Sequence, residues 1–167
     1  MKILLFFIAI LSIQSVLAQD NPQHKIMPSL KVHLVVNTID GQSYTIGESQ
    51  DTIFVINFWF IACEPCRREI PLLNALAESN KSRKDICFLS ISNIDTEKAL
   101  RYAVQRASLK FEQVAKGQQF ADAFGVNSYP TNIVIDKSGD IKFFEVGFKE
   151  DIENRIQRII DSLRIEP

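Results

Sequence analysis

Cysteine, histidine and tryptophan are scarce in this chain, at three, two and one among 167 residues. Three cysteines, an odd number, cannot form a closed framework of stapling disulfides. A structural zinc needs four ligands, and one close cysteine pair plus His24 and His33 near the N-terminus does not supply a recognisable set. A copper carrier meets the same shortage, so no metal and no cofactor is expected. An excess of either charge is also missing, with 19 basic residues against 20 acidic ones. That balance excludes the strong basic footprint of a nucleic-acid or anionic-membrane binder. The short "KSRK" at 81–84 reads as a solvated loop. Repeats, low-complexity tracts and an interdomain linker are absent too, which leaves one domain.

The apolar run "ILLFFIAILSI" (3–13) follows a single basic residue, Lys2, and is short for a membrane span, which needs about 20 apolar residues. It leads into "QSVLAQD", with Val16 and Ala18 at the small-residue positions of a cleavage site. This is the pattern of a secretory signal peptide over residues 1–18, cut after Ala18, rather than an uncleaved anchor. No cysteine follows the run to carry a lipid. Cleavage leaves 149 residues of formal charge −2, enough for one domain with its own core, and no stable membrane association. Export implies an extracytoplasmic, most simply periplasmic, location where disulfides persist.

Residues 19–27 are polar and read as a flexible leader to a domain over 28–167. "KVHLVVNTIDGQSYTI" holds two extended runs joined at Asp40-Gly41, a pair suited to a tight hairpin turn. "TIFVINFWF" (52–60) and "DICFLSIS" (85–92) are strands of the type buried on both faces. Between them "EPCRREIPLLNALAESN" has helical periodicity, with Pro71 predicting a kink. "DTEKALRYAVQRAS" (95–108) reads as an amphipathic helix capped by Asp95. "QQFADAFG" (118–125) is a short helix ended by Gly125. "TNIVID" (131–136) and "IKFFEVGF" (141–148) form an antiparallel hairpin, and an amphipathic helix closes the chain. The class is α/β: a mixed central sheet with helices on both faces.

Cys63 and Cys66 fall where the first buried strand yields to its helix. Residues three apart in a helical turn lie about 5–6 Å apart at Cα, within reach of a disulfide. The helix N-terminus offers free N–H groups and a positive dipole end, both of which favour a thiolate. Cys63, ahead of the first turn, is expected to be exposed and attacking, and Cys66 shielded and resolving. Pro65 stiffens the turn where a missing N–H costs nothing. Glu64 opposes thiolate formation by like charge, so both neighbours tune the pair. A permanently closed structural disulfide is the rival reading, though it would restrain only a small loop. Glu69, one turn beyond Cys66, is either a buried proton-exchanging carboxyl or a solvated acid beside Arg67 and Arg68; helix geometry alone leaves both open. Pro130 opens a strand after Tyr129, a setting for a cis bond and for an unpaired strand edge that receives an extended peptide. Cys87, alone in "ICFLSI", reads as a packed core thiol, the alternative being a partner for an external disulfide.

"VINFWFIACEPCRREIP" followed by "YPTNIVID" resembles the TlpA/ResA-like branch of the thioredoxin superfamily, exported thiol–disulfide oxidoreductases of which several act in cytochrome c maturation. The similarity spans about residues 28–165. It implies a thioredoxin-like fold with an N-terminal β-hairpin and an inserted helix–strand element within "DTEKALRYAVQRASLKFEQVAKG". It implies Cys63 as nucleophile, Cys66 as resolving thiol, Glu69 as the buried acid and Pro130 as the cis-proline facing the disulfide. In thioredoxins an Asp stands where this chain has Asn57. The implied partners are disulfide-containing protein substrates and a membrane thiol reductant as electron donor. Two departures stand out: Ala62 replaces the usual Trp before the first cysteine, and Tyr129 is bulkier than the common residues before the proline, a position that bears on substrate docking. The alternative function is a non-catalytic peptide-binding module of the same fold; a thiol peroxidase is disfavoured by the nearness of the two cysteines.

Overall fold

The computed structural model describes residues 34–47 and 51–163. The expected signal peptide and leader, with His24 and His33, lie outside the described residues. Two short strands, β1 (Leu34–Asn37) and β2 (Ser43–Ile46), pair antiparallel as a separate two-stranded sheet. Their turn is the expected one at Asp40-Gly41. Gly41 has φ +84, and Thr38 accepts the Gln42 N–H on its hydroxyl.

The main sheet has five strands. β3 (Ile53–Trp59) is buried along its whole length, as its unbroken apolar run predicts. It pairs parallel with β4 (Ile86–Ser92) and antiparallel with β6 (Thr131–Ile135). Outside these lie β5 (Glu112–Val114) and β7 (Ile141–Val146), giving the order β5-β4-β3-β6-β7. β5 escapes a reading of hydrophobic pattern because it is three residues long; it lies in the segment where the family resemblance places an inserted helix and strand.

Alternation along β3 divides the core. Phe54, Ile56 and Phe58 pack with α3 (Gln118–Ala123) and the hairpin residues Val36 and Ile46 on one face. Ile53 and Val55 face α1 (Glu64–Ser79) and α4 (Ile152–Ser162), meeting Leu73, Leu76, Ile152, Ile156 and Ile160. The hairpin is docked at a close backbone approach: a Cβ on Gly139 would lie 2.6 Å from the Gly47 carbonyl oxygen.

α1 carries Pro71 in its interior, which costs one ladder bond without ending the helix. Two local expectations are corrected. The cap of α2 (Glu97–Ala107) is Thr96, whose hydroxyl accepts from Ala99 N–H, and not Asp95. β6 is an interior strand: Thr131 pairs with both Phe58 and Val146, and the Pro130 carbonyl accepts from Gly147 N–H at 2.8 Å. The proline therefore leaves no free edge along β6 for an added strand.

Candidate active site

β3 ends at Trp59, and the chain turns into α1 with Cys63 as its N-cap. This brings Cys63 and Cys66 into a disulfide, with their Cα atoms 5.3 Å apart. Cys63 Sγ also accepts the Cys66 N–H at 3.2 Å, using one of the donors that a helix start leaves unpaired. That contact and the helix dipole favour negative charge on Cys63 once the bond is reduced. Glu64 and Pro65 are exposed in the first turn.

The expected contrast between an exposed and a covered sulfur residue is absent. Cys63 is 5 % exposed and Cys66 2 %. The cause is an apolar cluster of Trp59, Cys63, Cys66, Ile70, Leu100 and Leu109, against which Phe60, Ile61 and Tyr129 also pack. Exposed Ala62, Glu64 and Pro65 surround the buried Cys63 in sequence. Tyr129 stands edge-on to Phe60 with ring centroids 5.5 Å apart, and the Tyr129–Pro130 peptide is cis. Tyr129, Pro130 and the disulfide thus share one end of the sheet.

The loop entering α1 is held by a residue that the sequence reading assigned to another task. Asp95 Oδ2 accepts the Ile61 N–H at 2.8 Å and the Ser92 hydroxyl at 2.6 Å. The Ser92 contact is local, but Ile61 lies 34 positions earlier across the end of the sheet, so nothing in the local pattern around Asp95 announces it.

Glu69 resolves the ambiguity left by helix geometry: its face turns inward and it is 0 % exposed. Oε2 accepts from Asn132 Nδ2 at 2.9 Å and from Asn57 Nδ2 at 3.3 Å. Oε1 is buried with no hydrogen-bond partner. Burial raises its pKa to about 7; the Asn132 hydrogen bond opposes this, the charge of Glu145 adds to it, and the Lys149 backbone N–H opposes it. Asn132 was missed in the sequence, where "TNIVID" reads only as a strand. Cys87 is the core thiol expected, buried on β4, and burial pushes its pKa up to about 12. Among the described residues no cluster of three or more His, Cys, Asp or Glu is placed to hold a metal ion.

The profile of the AhpC/TSA family matches residues 24–144. The chain is 28 % identical over 130 residues to the thiol-disulfide oxidoreductase ResA of Bacillus thuringiensis, covering 76 % of this chain and 75 % of that protein. Solved structures share the thioredoxin-like architecture. StoA of Bacillus subtilis superposes with a TM-score of 0.68 at 14 % identity, over 80 % of this chain and 99 % of that one. A thiol-disulfide oxidoreductase of Bacteroides fragilis gives 0.65 at 19 %, over 77 % and 98 %.

Proposed function

This chain belongs to the AhpC/TSA family, and we propose that it is a thiol–disulfide oxidoreductase that reduces selected disulfides in exported proteins. The observation that carries the reading is the bonded Cys63–Cys66 pair at the N-terminus of α1, with Cys66 N–H on Cys63 Sγ. In the reduced protein, Cys63 thiolate attacks one sulfur of a substrate disulfide, forming a mixed disulfide and expelling a thiolate. Cys66 then attacks Cys63 Sγ, releasing the second substrate thiol and leaving the Cys63–Cys66 disulfide. Two electrons pass to the substrate, and a thiol donor must return two. Glu69 accepts the Cys66 proton as the resolving thiolate forms and returns it on re-reduction; a carboxyl titrating at about 7 suits both directions. Glu64 and Pro65 tune the pair, and Tyr129 and Pro130 form the surface against which the substrate chain lies.

The finer setting is our inference, supported by the secretory pattern at the N-terminus and the motif resemblance to TlpA/ResA-like proteins. The protein works in the periplasm, draws electrons from a membrane thiol reductant, and serves cytochrome c maturation or general extracytoplasmic thiol reduction. Trapping tests the reading: a Cys66→Ser variant accumulates mixed disulfides through Cys63 in a periplasmic extract, and an absence of adducts contradicts it.

One observation favours a second reading. A Cys63 that is 5 % exposed also suits a closed structural disulfide in a peptide-binding module. Insulin reduction separates the two, since the module gives no turnover.

A further inference from the structure

One row of the sheet is polar from edge to edge. Gln113 on β5, Ser90 on β4, Asn57 on β3, Asn132 on β6 and Glu145 on β7 are successive cross-strand partners. Directly paired residues share a face, and the row two residues away on that face is apolar, with Phe88, Val55, Val134 and Phe143. Glu69 descends from α1 into the middle of the polar row.

The hydrogen bonds run in one direction. Ser90 Oγ donates to Asn57 Oδ1 at 3.3 Å. Asn57 Nδ2 donates to Asn132 Oδ1 at 2.9 Å and to Glu69 Oε2 at 3.3 Å, and Asn132 Nδ2 donates to the same Oε2 at 2.9 Å. Turning the Asn132 amide over would set two amino groups against each other and an oxygen against Oε2. Two side-chain amides therefore converge on Oε2, whereas Oε1 has no partner in hydrogen-bond geometry and the backbone N–H of Lys149 bears on the carboxyl only from outside that geometry.

We propose that Asn132, oriented by Asn57 and Ser90, is a positioning residue that keeps Glu69 Oε2 as an acceptor and so confines the transferable proton to Oε1. This rests on the reading of Glu69 as the proton partner of Cys66. An oxygen receiving two N–H bonds is the stabilised carbonyl oxygen of the neutral acid, and the O–H then lies on the other. When a thiolate attacks Cys63 Sγ, the sulfur–sulfur bond breaks and Cys66 leaves as a thiolate. The Oε1 proton passes to Cys66 Sγ, and the carboxylate that remains is held by the two amides. The charge that bears on Glu69 is that of Glu145 at the end of the row, which is itself paired with Lys149 and with Arg155 of α4.

The test is reduction of the oxidised protein by dithiothreitol, sampled by acid quench and alkylation, with each rate divided by the dithiothreitol thiolate concentration. The wild-type value is flat at low pH, where Glu69 is protonated, and falls as pH passes about 7. In Asn132→Leu the fall moves alkaline by about one to two pH units, because a donor to the charged form is lost. The low-pH plateau also drops about tenfold, a part of what a positioned acid supplies. Asn132→Ala gives the same directions and stands in if the leucine variant does not fold. A plateau that keeps its wild-type height, whether or not the midpoint moves, overturns the inference, because Asn132 would then set acidity alone. Glu69→Gln separates the two levels. If it keeps the plateau, the role of Glu69 itself fails; if it loses the plateau while both Asn132 variants keep theirs, only the role of Asn132 fails.

Discussion

Asn57 on β3 and Glu69 on α1 are hydrogen-bonded across the helix–sheet interface, Nδ2 to Oε2 at 3.3 Å. A buried carboxyl borne by the helix is thus tied to the middle of β3 through an amide. The helix that caps itself with Cys63 also delivers the carboxyl one turn below Cys66. One helix therefore carries Cys63 at its cap, Cys66 in its first turn and the buried carboxyl of Glu69.

The first prediction concerns stability against pH. Glu69 titrates at about 7 in the folded protein against an ordinary value of 4.5. The folded state holds its proton more tightly, so stability is greatest below pH 4.5 and falls as pH rises to about 7. The loss amounts to about 3 kcal/mol. Urea unfolding of the oxidised protein across this window shows the decline in wild type. Glu69→Gln removes this contribution and leaves a flatter profile.

Glu145 pushes in the same direction as burial. Glu145→Gln removes that negative charge and leaves Lys149 and Arg155 without their carboxylate. The Glu69 midpoint should then move below about 7. A carboxyl-carbon NMR titration reads this directly, and an upward movement contradicts the assigned electrostatics.

Asp95 ties the loop before Cys63 to the end of β4. Asp95→Ala frees the Ile61 N–H and the Ser92 hydroxyl. It should lower stability by about 2 kcal/mol, the scale of hydrogen bonds to a charged group, and slow disulfide exchange by loosening the entry to α1. Thr96→Ala, which removes only the cap of α2, should cost about 1 kcal/mol and leave exchange near wild type. Equal exchange rates in the two variants contradict a special role for Asp95.

Cys87 stands apart from the redox pair. It is about as buried as Cys63, but its thiol, on β4 and away from a helix N-terminus, is pushed up to about 12. In the reduced native protein, iodoacetamide should label Cys63 and spare Cys87 until denaturant is added, as read by mass spectrometry. Cys87→Ala should retain disulfide reduction while losing about 1–2 kcal/mol to the small cavity left behind.

Strong local signals carried much of the fold. The unbroken apolar run of β3, the periodicity of α4 and the Asp40-Gly41 turn each state their structure within a few residues. The spacing of Cys63 and Cys66 likewise states their distance, because a helical turn sets it. What escaped depends on residues far apart in sequence. Asp95 resembles a cap locally, yet its partners include Ile61, 34 positions earlier. Asn132 matters only because strand register sets it beside Asn57 and under Glu69, 75 and 63 positions away. Cys63 lost its expected exposure because the apolar cluster around it draws on separate segments of the chain. Pro130 suggested a free edge, but β7 returns from a later hairpin to cover it.

All of this turns on the Cys63–Cys66 bond opening and closing as part of a cycle. Equilibration against graded thiol buffers, with insulin turnover followed on the same samples, addresses that directly. The expected result is a reversible potential near the thioredoxin value of about −270 mV, together with catalytic insulin reduction. A potential well below about −300 mV with no turnover contradicts the account and marks the bond as structural.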